Sequence, residues 1–113
     1  VNVERVNEAE LAFRGGDSGV KYLMRGPHLD WGVILLKEGE TLEGHYHRQV
    51  EETFYVLQGQ ATFAVQGKET VAGPGVALRL EPGEGHAVRN AGRDDLKMVF
   101  IKWPYLPEDK VSL

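Results

Sequence analysis

The chain has 113 residues, 42% of them hydrophobic and 27% charged, the make-up of one soluble globular domain rather than two. It contains no cysteine, which excludes disulfides, thiolate nucleophiles, iron–sulfur clusters and Cys-type zinc sites and permits a reducing compartment. A formal charge of −4 and a pI near 5.5, with no basic stripe, speak against nucleic acid as a partner.

The N-terminal region, with Glu4, Arg5, Glu8 and Glu10 close together, lacks the apolar segment of a secretory signal. Residues 7 to 13 suit one helical turn, with Asn7 as its cap, too short to stand alone. From Val20 onward, short runs rich in Val, Ile, Leu, Phe and Tyr alternate with turn residues. Val20 to Arg25 ends at Gly26-Pro27, Trp31 to Lys37 at Glu38-Gly39, and Thr41 to His47 at Arg48-Gln49. Glu52 to Leu57 ends at Gln58-Gly59, Ala61 to Val65 at Gln66-Gly67, and Glu69 to Ala72 at Gly73-Pro74-Gly75. Val76 to Leu80 meets Pro82-Gly83, His86 to Asn90 meets Ala91-Gly92, and Leu96 to Trp103 stops at Pro104. Fourteen glycines, against a usual ~7%, punctuate this series. The rhythm predicts an all-β antiparallel sandwich or barrel.

Val33 to Leu36, Phe54 to Leu57 and Met98 to Ile101 are apolar on both strand faces, so something must cover each side. The candidates for the outer face are the terminal segments or a second subunit, and a homodimer is the expected cover. The longest aliphatic run is far short of the roughly 20 apolar residues that cross a bilayer. The expectation is a cytoplasmic protein with no membrane partner. Residues 1–19 are expected to form an N-terminal arm, 20–103 the barrel, and 104–113 a tail that leaves the sheet and packs on the barrel or on its partner.

His45 and His47 stand two apart on a predicted strand, so both rings project from one face and can grip one ion. Glu52 opens the next strand and His86 begins a later one. Three neutral imidazoles and a carboxylate form a borderline N/O site suited to a divalent transition metal: Mn, Fe, Co, Ni, Cu or Zn. Glu51 competes with Glu52 for the carboxylate role, its other reading being a solvated outward side chain. His28 reads as a loop histidine and Asn90 as a structural residue at a strand end or turn. Ser18 and Ser112 are the only serines and neither sits in a nucleophile elbow, nor does any glycine cluster match a nucleotide-binding loop.

Gly39, five residues, His45, one, His47, four, Glu52, six, Gly59 resembles the first motif of the cupin superfamily, G-x5-H-x-H-x(3 or 4)-E-x6-G. Gly75, five, Glu81, one, Gly83, two, His86, three, Asn90 resembles the second, G-x5-P-x-G-x2-H-x3-N, except that Glu81 stands at the proline position and Pro82 follows it. The resemblance implies a double-stranded antiparallel jelly-roll barrel holding one divalent metal through His45, His47, Glu52 and His86. It also implies a function: a metal-dependent enzyme on a small oxygen-rich or carbonyl metabolite, of oxygenase, decarboxylase or isomerase type. The alternatives are a non-catalytic module that binds a metal and a small ligand, and a barrel with a vestigial site. Arg79, Arg89, Lys102, Tyr22, Tyr46 and Trp31 are candidates to touch a small anionic substrate. Phe54, Phe63, Val65, Val88, Met98 and Phe100 are expected to line or floor the cavity.

Overall fold

A computed structural model describes residues 2–113 as two five-stranded antiparallel sheets packed face to face. The strands are β1 (Gly19–Arg25), β2 (Asp30–Leu36), β3 (Thr41–His47), β4 (Glu51–Gln58) and β5 (Ala61–Val65), followed by β6 (Lys68–Ala72), β7 (Ala77–Leu80), β8 (His86–Arg89), β9 (Leu96–Trp103) and β10 (Lys110–Ser112). One sheet has the order β1-β2-β9-β4-β7 and the other β10-β3-β8-β5-β6. Chain neighbours therefore often lie in opposite sheets, which is the wrapping of a double-stranded jelly-roll barrel. Nine strands fall where the apolar runs and their turn residues place them. Among the described residues no helix is long and apolar enough to cross a membrane.

The helical turn expected over residues 7 to 13 is shorter: a 3-10 turn, Glu8–Glu10, whose cap Asn7 accepts the Ala9 N–H at 2.9 Å. The tail also departs from expectation. It leaves the sheet at Pro104 but returns as β10, which pairs with β3 through Lys110–His47, Val111–Tyr46 and Ser112–His45. Asp109 fixes the return, because its Oδ2 accepts the N–H groups of Gln49 at 2.8 Å and Val50 at 3.0 Å.

The core lies between the sheets. Phe54, Phe63, Phe100, Ile34, Leu36, Val56, Leu96 and Met98 are each no more than 2% exposed, and each such burial contributes roughly 1.5–3 kcal/mol. The N-terminal arm covers part of the outer face of the first sheet. Lys21 donates to the Glu8 carbonyl and Lys97 to its carboxylate, which ties the arm to that face, where the directly paired Lys21 and Val33 are buried. Farther along the same face Tyr55, Leu57, Ile101 and Trp103 stay exposed.

Two motif glycines are required by geometry. Gly59 has φ +79°, and a Cβ there would stand 2.5 Å from the Asp95 carbonyl oxygen. Gly83 has φ +86° as the third residue of the turn Glu81–Glu84, which is closed by the Glu84 N–H on the Glu81 carbonyl at 3.2 Å. Pro82 and Gly83 thus occupy the positions a type II turn reserves for proline and a positive-φ residue. The displaced proline leaves the turn intact, and Gly83 N–H donates to the His47 carbonyl at 2.7 Å.

Candidate metal centre

His45 and His47 lie on β3, and His86 on β8 beside them, with His45 and His86 directly paired. Glu52 comes from β4 in the opposite sheet. A parity switch brings them together. Leu42 pairs with Val88 and packs on the core, so simple alternation would turn residues 45 and 47 outward. Between Leu42 and His45 the register with β8 shifts by one residue. This bulge at Glu43–Gly44 reverses the faces and sends both imidazoles inward. On β4, alternation alone selects the carboxylate: Glu52, Phe54 and Val56 are buried, whereas Glu51 lies on the other face, cross-strand from Trp103.

The candidate ligand atoms of His45, His47, Glu52 and His86 all lie within 4.8 Å of one another. Glu52 Oε1 stands 3.1 Å from His47 Nε2, 3.3 Å from His86 Nε2 and 3.9 Å from His45 Nε2. An ion bound at ~2.1 Å places adjacent octahedral donors ~3 Å apart and opposite donors ~4.2 Å apart, which is the range observed. The backbone sets the tautomers. His45 Nδ1 lies 2.9 Å from the Glu43 carbonyl and His86 Nδ1 3.0 Å from the Glu84 carbonyl. A carbonyl only accepts, so each Nδ1 carries the proton, and in the neutral ring each Nε2 presents a lone pair to the centre.

His86 Nε2 is buried and makes no hydrogen bond among the described residues. An orphaned buried nitrogen of this kind costs about 1–3 kcal/mol, and a cation at the centre removes that cost. Burial, the largest single influence on Glu52, pushes its carboxyl up. The three imidazoles crowded around it outweigh burial and hold the carboxyl well below the ordinary range. Imidazole lone pairs around an ionised carboxylate form a set of acceptors, stable only about protons or a metal ion. The four residues fit a borderline divalent metal.

The quartet opens into a cavity of about 400 Å³, within the usual size of small-molecule sites. Of the second-sphere candidates, Tyr22 and Lys102 line it. Arg79 and Arg89 are exposed outside it, paired with Glu81 at 3.3 Å and Glu69 at 2.7 Å. Tyr46 and Trp31 do not line it either. Phe54, Val88 and Phe100 form part of its wall, while Phe63 and Met98 lie fully buried in the core and Val65 packs against that core. His28 is an exposed loop residue. Asn90 is 0% exposed and is a clamp: its Nδ2 donates to the carbonyls of Leu36 and Asp94, each at 2.8 Å, and its Oδ1 accepts the Gly92 N–H at 3.0 Å. The sequence reading missed Arg14, Arg25, Asp30 and Lys110, which also line the cavity.

The family model described as Cupin domain matches residues 32–102. The chain belongs to the cupin family. Over 81 residues this cupin is 29% identical to the polyketide synthase protein CurC of Streptomyces cyaneus, across 72% of this chain and 53% of that protein. It is also 29% identical, over 68 residues, to an oxalate-binding protein of Thermotoga maritima, across 60% of this chain and 56% of the other. The chain thus spans about half the length of these curated relatives. Among solved structures, an uncharacterized protein of Klebsiella pneumoniae with a double-stranded β-helix domain superposes with a TM-score of 0.83, at 18% identity, over 98% of this chain and 97% of the other. That likeness speaks to the fold.

Proposed function

We propose that His45, His47, Glu52 and His86 hold one divalent transition metal, and that the cavity above it receives a small oxygen-rich or carbonyl metabolite for turnover. The observation that carries this reading is the convergence of three imidazole nitrogens on Glu52 Oε1, two of them with their protons turned away onto backbone carbonyls. Four protein donors leave two positions of an octahedral ion to a ligand, and the bound ion would supply Lewis-acid chemistry on a carbonyl or enediol. The protein's part is to fix the donor set, to orient the ligand and, through the apolar wall of Phe54, Val88 and Phe100, to limit water. Oxygenase, decarboxylase and isomerase chemistry all fit such a site.

The name of the Thermotoga relative, an oxalate-binding protein, favours a second reading, in which the same centre captures a small ligand without turnover. Product analysis and oxygen uptake across a panel of small organic acids, with Mn- and Fe-loaded protein, separate the two. The enzyme reading expects product from at least one acid, abolished by His45→Ala; saturable binding with no product from any acid would replace it with the binding reading. The reading also includes a homodimer through the exposed face of Tyr55, Leu57, Ile101 and Trp103, where apolar surface of this kind gains from burial against a second copy.

A further inference from the structure

The cavity contains a second polar cluster that the metal quartet does not use. Lys102 on β9 stands directly across from Glu52 on one side and from Asp30 on the other. Directly paired residues share a sheet face, and all three line the cavity. Neither carboxylate takes up the lysine charge, since Asp30 is bound to Arg25 at 3.3 Å and Glu52 Oε1 faces the histidines. The Lys102 ammonium instead donates to the Tyr22 hydroxyl, its sole hydrogen-bond partner among the described residues.

Tyr22 is held firmly for this purpose. Its ring stands edge-to-face on Phe100 with centroids 5.2 Å apart, and the Arg25 guanidinium lies 4.1 Å from the ring centroid. An ammonium donates and cannot accept, so the phenol oxygen is the acceptor and its own proton stays available. Two ammonium protons and one phenol proton therefore remain for an acceptor in the cavity. The wider lining agrees. Arg14, Arg25, Lys102 and Lys110 oppose only Asp30, Glu43 and Glu52, in a chain whose net charge is −4.

The geometry points to a carboxylate subsite: Lys102 Nζ and Tyr22 OH receive the carboxylate of a small acid whose other oxygen-bearing end reaches the histidine quartet. A carboxylate is favoured over a phosphate. The guanidinium fork beside this pair, which could grip a phosphate bidentately, is that of Arg25 over the Tyr22 ring, and its Nε and Nη2 are committed to Asp30. This inference deepens the proposed function and rests on it only for the ligand's far end; the carboxylate contact depends on Lys102 and Tyr22 alone.

The test is calorimetric titration of malonate, malonamide and inorganic phosphate into Mn-loaded and chelator-stripped protein, with metal content measured in parallel. In the loaded wild type, malonate binds at least tenfold tighter than malonamide or phosphate. Lys102→Met weakens malonate at least tenfold and Tyr22→Phe three- to fivefold, with metal content unchanged in both. Wild-type affinity in Lys102→Met overturns the subsite, as does the absence of malonate binding to the wild type or a preference for phosphate. Should Lys102→Met not fold, Tyr22→Phe decides, and unchanged affinity there overturns the proposal. A wild type that takes up no metal refutes the metal centre instead; malonate binding to stripped protein that still depends on Lys102 and Tyr22 then upholds the subsite by itself.

Discussion

Replacing Asn90 with alanine removes the clamp that joins the end of β8, the strand carrying His86, to the end of β2. Three side-chain hydrogen bonds are lost, to the Leu36 and Asp94 carbonyls and from the Gly92 N–H, at a position with 0% exposure. Each bond contributes about 1 kcal/mol net, and a buried group left without a partner costs more than that. The expected destabilisation is about 3 kcal/mol. Unfolding entropy near ~2.1 cal/mol/K per residue gives about 0.24 kcal/mol/K for a chain of this length, so the melting temperature should fall by about 12 °C. Thermal unfolding followed by near-UV circular dichroism on chelator-treated protein reads this directly, without a contribution from bound metal. A fall of less than 3 °C would refute the reasoning, because it would mean that water replaces the amide at no cost.

Three further outcomes are expected. Gly59→Ala places a Cβ 2.5 Å from the Asp95 carbonyl at a φ of +79°, and the strain of each should sum to a loss of about 2 kcal/mol in urea unfolding. In Asp109, burial pushes the carboxyl up, but N–H donation from Gln49 and Val50 outweighs it and the group titrates below its ordinary range. A depressed carboxyl stabilises the fold above the unfolded value of about 3.9 and loses that contribution as pH falls through the folded value. Asp109→Asn should therefore be less stable than wild type by about 1 kcal/mol between pH 5 and 8, with the gap closing below about pH 4; a gap that persists at pH 2 would contradict this. Trp103→Glu, on the exposed apolar face, should shift a dimer to monomer in analytical ultracentrifugation, while a wild type that sediments as a monomer would exclude the dimer.

Strand positions were legible because glycine and proline bound most of the apolar runs, as with Gln58-Gly59 after β4 and Pro82-Gly83 before β8. The quartet was legible because its spacing resembles two motifs of a known family. The parity of the cavity strands was not. On β3 the bulge between Leu42 and His45 reverses the faces, and on β1 a second register shift between Tyr22 and Met24 lets Tyr22 and Arg25, three residues apart, both line the cavity. A bulge of one residue carries no hydrophobic signature, so strict alternation misplaces every side chain beyond it. β10 escaped for another reason. Lys110–Ser112 is three residues long and contains a single apolar side chain, and what holds it in place is Asp109 accepting two N–H groups about sixty residues away in the chain.

The central claim is the binding of one ion by four side chains from β3, β4 and β8, and elemental analysis of protein purified without chelator tests it most directly. Wild type should retain close to one divalent transition metal per chain, and His86→Ala and Glu52→Ala should each lose most of it while remaining folded. Full occupancy in both variants, or a wild type that takes up no ion on dialysis against Mn, Fe, Co, Ni, Cu and Zn in turn, would contradict the account.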